Sequence, residues 1–290
     1  MMNGIIIINK PAGWTSHDVI AKLRGILKEK RIGHGGTLDP MATGVLPVFI
    51  GRATRAVEFC ESYDKEYIAT LRLGIVTDTQ DTTGTPIKTS EVRAGRREVE
   101  QAVLHFTGVQ DQLPPMYSAV KIGGQKLYQL ARRGIEAART PRQITVDRID
   151  VLDHKGHEFL LRIVCSKGTY VRTLCHDIGE YLGCGGAMSA LKRTRAGIFT
   201  LDEAVLIADV EAAMTDGRFG ALMKPVDSLF MAYPAASIDA HQKAKCLNGA
   251  DFPVDKKDGC YRVYDGNGSF LMLGQADGGR MRTVKSFFDV

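Results

Sequence analysis

Apolar and polar positions follow several distinct rhythms along the chain, and each predicts an element. Residues 4–9 form an unbroken β-branched run around Ile5 to Ile8, which predicts a short buried strand closed by the turn signal Lys10-Pro11-Ala12-Gly13. Thr15-Ser16-His17-Asp18 offers a helix N-cap, and Val19, Ile20, Leu23 and Leu27 follow at helical spacing, so residues 17–28 are expected to be an amphipathic helix. Residues 45–51 return to strand, 53–63 to helix, and 65–74 alternate as a half-buried strand does. A helix over 97–107 gathers Val99, Val103 and Phe106 on one face, and another, rich in Ala, Leu and Arg, reaches about Gly134. Residues 144–151 and 158–165 are alternating runs expected to pair across a turn at 153–156. Ser166 to Thr169 then open a loop before a helix carrying Tyr170, Leu174 and Ile178, and such basic, glycine-containing helix starts attract anions. Helical patterning resumes from 202 to about Asp216.

After Pro234 the texture changes to short apolar runs broken by Asn248-Gly249, Asp258-Gly259, Asp265-Gly266-Asn267-Gly268 and Asp277-Gly278-Gly279. That density of Asn-Gly and Asp-Gly predicts a compact β unit with hairpins. Two domains are therefore expected, residues 1–234 and 235–290, in an α+β chain without repeats or low-complexity segments.

Composition narrows the class. The 290 residues are 44% hydrophobic and 24% charged, which suits a globular protein and argues against extensive disorder. No window approaches the roughly 20 apolar residues that span a bilayer. The six cysteines, at 60, 165, 175, 184, 246 and 260, include no Cys-x-x-Cys pair, so a zinc site is not expected, and reduced thiols in a cytoplasm are the simplest reading. His154-x-x-His157 and His176-Asp177 lack a third ligand and read as surface or structural histidines. A P-loop is excluded because Gly123-Gly124 lacks the required spacing, and the two carboxylates of Thr77 to Gly84 are too few for a calcium loop.

The net charge of +5 indicates mild attraction to polyanions. Its placement says more: Lys28, Lys30 and Arg31 form one group, Arg132, Arg133, Arg139 and Arg142 a second, Lys192, Arg193 and Arg195 a third. Each could be a solvated face, but three around a shared cleft would suit a phosphate backbone.

The most peculiar stretch is Gly33-His34-Gly35-Gly36-Thr37-Leu38-Asp39-Pro40-Met41-Ala42-Thr43-Gly44-Val45-Leu46-Pro47. Its glycines permit positive φ and close backbone approach, and Pro40 biases Asp39 toward an extended conformation. One carboxylate is thereby held on a loop that cannot become helix; a turn in which Asp39 caps its own backbone is the bland alternative. The run resembles the active-site loop of the tRNA pseudouridine-55 synthases, the TruB family. So do Lys10-Pro11, Lys65-Glu66-Tyr67, the stretch Thr77 to Gly84 containing Asp81, Pro114-x-x-Tyr117-Ser118-Ala119-x-Lys121, Lys126-Leu127-Tyr128, Ser166-Lys167-Gly168-Thr169-Tyr170-Val171-Arg172, and Leu191-Lys192-Arg193 through Gly197 to Phe199. These segments lie in the family's order across residues 4 to about 200, and the C-terminal part matches more loosely.

The resemblance implies a mixed, mainly antiparallel central sheet flanked by helices, the pseudouridine synthase fold, with a small β-rich, PUA-like RNA-binding domain at the C-terminus. It implies isomerisation of uridine to pseudouridine in the T-loop of tRNA by a monomer, through base flipping, without cofactor, metal or membrane. Asp39 is the expected nucleophile, at the sugar's anomeric carbon or at the base. Arg172 is expected to lower its pKa and fix its orientation. Tyr67 is expected to lie against the target base and accept a proton from the sugar, Tyr170 and Leu191 to pack at the base pocket, and Asp81 to shape the site. His34 is expected to take the space left by the flipped nucleotide or to stack in the opened loop. Lys10, Arg132, Arg133 and Arg193 are expected to bind RNA phosphate. On general grounds Lys10 could be an exposed turn lysine, Tyr67 packing and Leu191 ordinary core. A non-catalytic RNA-binding or RNA-folding protein on the same scaffold is the alternative from another class, although Asp39, Tyr67 and Arg172 are all intact. A glycoside hydrolase would need a second cooperating carboxylate, for which only Asp81 is a candidate.

Overall fold

The computed structural model describes residues 2–288. The chain opens with strand β1 (Gly4–Lys10), helix α1 (Ser16–Leu27), β2 (Ile32–His34) and β3 (Thr43–Ile50), then passes through a 3-10 turn (Gly51–Ala56) into α2 (Val57–Glu61). β4 (Lys65–Leu73), β5 (Ile75–Thr77), β6 (Pro86–Thr89), α3 (Arg96–His105) and β7 (Gly108–Gln112) follow. A small hairpin, β8 (Lys121–Ile122) and β9 (Gln125–Lys126), leads to α4 (Leu127–Ala131). Next come β10 (Arg142–Lys155), β11 (Glu158–Cys165), α5 (Val171–Tyr181), β12 (Gly186–Ala196), β13 (Phe199–Thr200) and α6 (Ile207–Thr215). The C-terminal part holds β14 (Ala235–Ser237), α7 (Ala240–Leu247), β15 (Phe252–Pro253), β16 (Gly259–Tyr264), β17 (Phe270–Asp277) and β18 (Arg280–Ser286).

The main sheet follows the order β1-β3-β12-β4-β11-β10-β7, with β2 joined to β3 and β13 to β12. Every pairing is antiparallel except β3 with β12. β1 lacks polar alternation because both its faces are covered. Ile6 and Ile8 join the core shared with α1, α3, α5 and α6, whereas Ile5 and Ile7 join a second core under the C-terminal sheet. In β4 the inward residues Tyr67, Ala69, Leu71 and Leu73 alternate with less buried ones, as its pattern predicts. α1 starts at a capping box in which Thr15 Oγ1 accepts the Asp18 N–H at 3.0 Å and Asp18 Oδ2 accepts the Thr15 N–H at 2.8 Å.

The second sheet, ordered β14-β16-β17-β18-β15, has its own core around Cys246, Phe252, Val263, Met272 and Met281. It is docked rather than tethered: Leu273 and Phe287 pack with Val226, Leu229 and Phe230, and Tyr264 Oη donates to Asp227 Oδ2 at 2.5 Å.

Several predicted elements differ. The helix expected over 53–63 is divided into a 3-10 turn and α2; the turn starts at Gly51 (φ +64), which lies against the Met2 carbonyl, where a Cβ would lie 2.3 Å away. The helix expected to reach Gly134 is only α4 and ends in a turn in which Gly134 (φ +69) donates to Ala131 O at 2.9 Å. Helix α6 starts five residues late because Val205 bridges to Ile8 of β1. Asn248-Gly249 is no hairpin: it terminates α7, which Asp239 caps through the Gln242 N–H at 2.8 Å. The turns at 265–268 and 277–279 do join paired strands. Among the described residues no helix is long and apolar enough to cross a membrane.

Candidate active site

The Asp39 loop joins β2 to β3 and is held almost entirely through its backbone. The Leu38 N–H donates to Ser16 Oγ at 2.9 Å and the Leu38 carbonyl accepts from the same hydroxyl at 3.3 Å. Gly13 donates to Pro40 O at 2.8 Å and Ala42 to Asp39 O at 3.0 Å. Gly44, at φ +98, lets β3 approach β12 so closely that a Cβ would lie 2.2 Å from the Arg193 carbonyl.

Two residues expected to bind phosphate belong to this scaffold instead. Lys10 has no exposed surface; its ammonium donates to the carbonyls of Pro11 (2.8 Å), Trp14 (2.6 Å) and Pro40 (3.2 Å), stapling the end of β1 to the loop. Burial pulls its pKa down to about 8, with the Asp39 charge opposing. Arg193 is 1% exposed and donates from Nε to Val45 O at 2.7 Å and from a terminal nitrogen to Gly36 O at 3.1 Å. Both are withdrawn from RNA because the loop's inward carbonyls, away from water, require donors.

Asp39 meets Arg172 in a two-pronged pair. Arg172 Nε lies 2.9 Å from Asp39 Oδ2, and one terminal nitrogen lies 3.2 Å from Oδ1. The guanidinium is fixed from behind: it donates to Thr79 O at 3.2 Å and Tyr117 O at 3.0 Å and lies 3.6 Å from Asp81 Oδ2. The Arg172 side chain is only 7% exposed and that of Asp81 6%, but Asp39 keeps 32% of its side-chain surface open. The carboxylate is thus the accessible tip of a buried charge network. Arg172 was expected to hold the Asp39 pKa low. It does oppose the rise, but burial outweighs it and Asp81 adds to it, so the carboxyl titrates above its ordinary range.

Asp81 is unsuited to be a second acid. Its Oδ1 accepts from Thr79 Oγ1 (2.9 Å), the Thr83 N–H (3.0 Å) and Thr83 Oγ1 (2.5 Å), leaving Oδ2 for Arg172. This removes the structural basis for a paired-carboxylate hydrolase.

Tyr67, on β4, sits opposite Arg193 of β12 and is buried at 9% exposure. Burial raises its phenol pKa despite the Arg193 guanidinium, so the neutral phenol is the stable form. Leu191 lies on the same face and belongs to the main core, pairing with Ala69. Tyr170 is the N-cap of α5, two residues from Arg172; its N–H is already taken by Gln112 and is not left for an anion. The His34 and His17 ring centres lie 5.5 Å apart in an edge-to-face arrangement, and burial with the neighbouring charges of His17 and Arg193 lowers the His34 pKa to about 4. His34 is a neutral ring at physiological pH. Arg132 and Arg133 are exposed beside α4, with the Arg132 guanidinium 5.5 Å from the Tyr128 ring centre, and Lys192, Lys28, Lys30 and Arg31 are also exposed.

Asp39, Arg172, Asp81, Lys10 and Arg193 are therefore brought together from the Asp39 loop, α5, the 77–84 loop, β1 and β12. The carbonyls of Thr79 and Tyr117 and the hydroxyl of Ser16 also build it. Backbone acceptors leave no trace in a sequence, but the threonines flanking Asp81 were a readable signal. Among the described residues no cluster of three potential metal ligands occurs.

The chain is similar to known proteins over nearly its whole length. The family described as TruB family pseudouridylate synthase (N terminal domain) matches residues 24–171, and tRNA pseudouridylate synthase B C-terminal domain matches residues 172–231. A tRNA pseudouridine synthase B of Clostridium kluyveri is 39% identical over 99% of this chain and 100% of its own length. That of Aromatoleum aromaticum is 43% identical over 96% and 90%. Among solved structures, a chain of a Cbf5-Nop10-Gar1 complex is similar with a TM-score of 0.75 at 29% identity, covering 98% of this chain and 85% of that one. A chain of an H/ACA RNP bound to a substrate RNA containing 2'-deoxyuridine gives a TM-score of 0.73 at 27% identity, covering 99% and 85%.

Proposed function

The chain belongs to the TruB family of pseudouridylate synthases and isomerises uridine in tRNA, and from that premise we propose that its target lies in the T-loop, at position 55, and that Asp39 is the reacting group. The single observation that carries this reading is the Arg172 grip on both Asp39 oxygens, at 2.9 and 3.2 Å, with the carboxylate still a third open. Isomerisation must break the N-glycosidic bond, turn the base and rejoin it through carbon. A carboxylate that attacks the anomeric carbon, or the base, divides that task into two easier steps. Either route needs the ionised form, which Arg172 favours against burial.

The uridine is extruded from its stack to reach Asp39, at a cost of about a few kcal/mol. His34, neutral and next to the loop, fills the space it leaves. Tyr67 lies against the swung-out base as a neutral phenol, with Leu191 and Tyr170 completing the pocket. Asp81 takes part through Arg172. Arg132 and Arg133, with the other exposed basic residues, meet phosphates of the T-arm stem-loop. Residues 235–290 act as a separate PUA-like RNA-binding domain of a cytoplasmic monomer.

Tritium release from carbon-5-labelled uridine in an unmodified T-arm stem-loop tests the central role. Asp39→Asn is expected to lower turnover by about a thousandfold or more while the stem-loop still binds, as befits loss of a group acting in the reaction itself. Retained turnover would falsify the assignment.

A further inference from the structure

Helix α5 carries Arg172 in its first turn, yet it begins without a side-chain cap of its own. Its N-cap, Tyr170, is extended (φ −98, ψ 105), so its N–H and C=O point to the same side, as in a strand awaiting a partner. That partner is a side chain from 58 residues away. The Tyr170 N–H donates to Gln112 Oε1 at 2.8 Å, and Gln112 Nε2 donates to Tyr170 O at 3.0 Å. The amide's orientation is fixed by this pairing, since reversal would set donor against donor and acceptor against acceptor.

Gln112 is 4% exposed and is the last residue of β7, where it pairs with Arg142 of β10. It is therefore rigidly mounted on the sheet. The Tyr170 carbonyl also accepts the Leu174 N–H at 3.0 Å, so the glutamine grips the residue from which the helical ladder starts. Five residues after Gln112, the Tyr117 carbonyl accepts from Arg172 directly. The same short strip of chain thus holds both the start of the helix and the guanidinium it presents.

We propose that Gln112 is a positioning residue for the isomerisation: its carboxamide fixes where α5 begins and thereby aims Arg172 at Asp39. This role rests on the reading of Asp39 as the reacting carboxylate and Arg172 as its counter-charge. The groups that face Asp39 are Arg172 from α5, Asp81 from the 77–84 loop and Lys10 from β1. If α5 loses its anchor, the Arg172 contribution weakens first while burial and Asp81 persist. A two-pronged pair tolerates little displacement, and misplacement by about 1 Å can cost on the order of a hundredfold in rate.

The experiment compares wild type with Gln112→Met, which keeps the volume and removes both hydrogen bonds, and with Gln112→Asn, which keeps the amide but shortens its reach. For each, kcat and KM are measured by tritium release on the unmodified stem-loop across acid to neutral pH, with stem-loop Kd and thermal unfolding alongside. Expected are a kcat lowered by roughly ten- to a hundredfold, a Kd within about twofold, and an acid limb displaced to higher pH. Wild-type kcat with an unmoved acid limb in either folded variant overturns the proposal, as does a loss confined to Kd. If Gln112→Met fails to fold, Gln112→Asn decides by the same criteria; failure of both to fold makes Gln112 a purely structural residue and overturns the proposal too. Asp39→Asn run in parallel separates the premises: an active Asp39→Asn defeats the reading of Asp39 itself, whereas an inactive one beside unaffected Gln112 variants defeats only the role of Gln112.

Discussion

At Asp39 one carboxyl is subject to two opposing effects, burial pushing its pKa up and Arg172 pulling it back, with burial prevailing. A raised pKa means protonation on acidification sets in above the ordinary carboxylate range. Under the proposed role of Asp39 the ionised form reacts, so kcat is expected to fall with decreasing pH along a limb displaced upward from the model-compound value of 3.8. Arg172→Met removes the opposing charge while Asp81 remains, so the limb should move to still higher pH; a limb that stays in place would show that Arg172 does not set the Asp39 charge. Arg193 carries a different expectation, because its guanidinium serves buried carbonyls rather than phosphate. Arg193→Met should cost about 2 kcal/mol or more by leaving the Val45 and Gly36 acceptors unpaired. The salt dependence of RNA binding should be unchanged, whereas a phosphate contact would reduce the slope of log K against log salt by about one.

At the scale of elements, the site depends on how closely α5 lies on β12. Gly179, in the last turn of the helix, meets the backbone at Gly186, the first residue of β12, where an added Cβ would be 2.1 Å from the Gly186 nitrogen. No side chain fits there. Gly179→Ala is expected to lift the helix and destabilise the fold by about 1–3 kcal/mol, the usual range for overpacking. Because Arg172 moves with the helix, turnover should fall with stability; denaturant midpoints and tritium release on the same preparation check this. The close approach explains why a glycine interrupts an otherwise good helical pattern. Gly44 is its counterpart on the other side, where β3 crosses Arg193 and no β-carbon is tolerated.

At the scale of the molecule, the second sheet covers apolar residues of the first. Val226, Leu229, Phe230, Leu273 and Phe287 share one core, and Arg262 donates to Tyr233 O at 2.9 Å across the same junction. Removing residues 235–290 would expose Val226, Leu229 and Phe230, so the truncated protein should be less stable as well as weaker in RNA binding. Intact protein should unfold in one cooperative transition by calorimetry, and two well-separated transitions would contradict this coupling. The periodicities of β1, α1, β4 and the β10–β11 hairpin were legible because their burial is dictated by local spacing alone. The Asp39 loop was legible for a related reason: glycine frees and proline restricts a backbone wherever they stand. Short elements such as α4 and the Gly51–Ala56 turn were not, since their lengths are set by neighbours that press on or bond to them. The fates of Lys10 and Arg193 show the same division. The sequence by itself determined that there would be cations near the loop, a carboxylate on it and an arginine far along the chain to answer it. Only the tertiary structure decided which cations face water and which are consumed by buried carbonyls, because a charge's role depends on the acceptors that folding brings within about 3 Å of it, and those acceptors are backbone groups common to every residue.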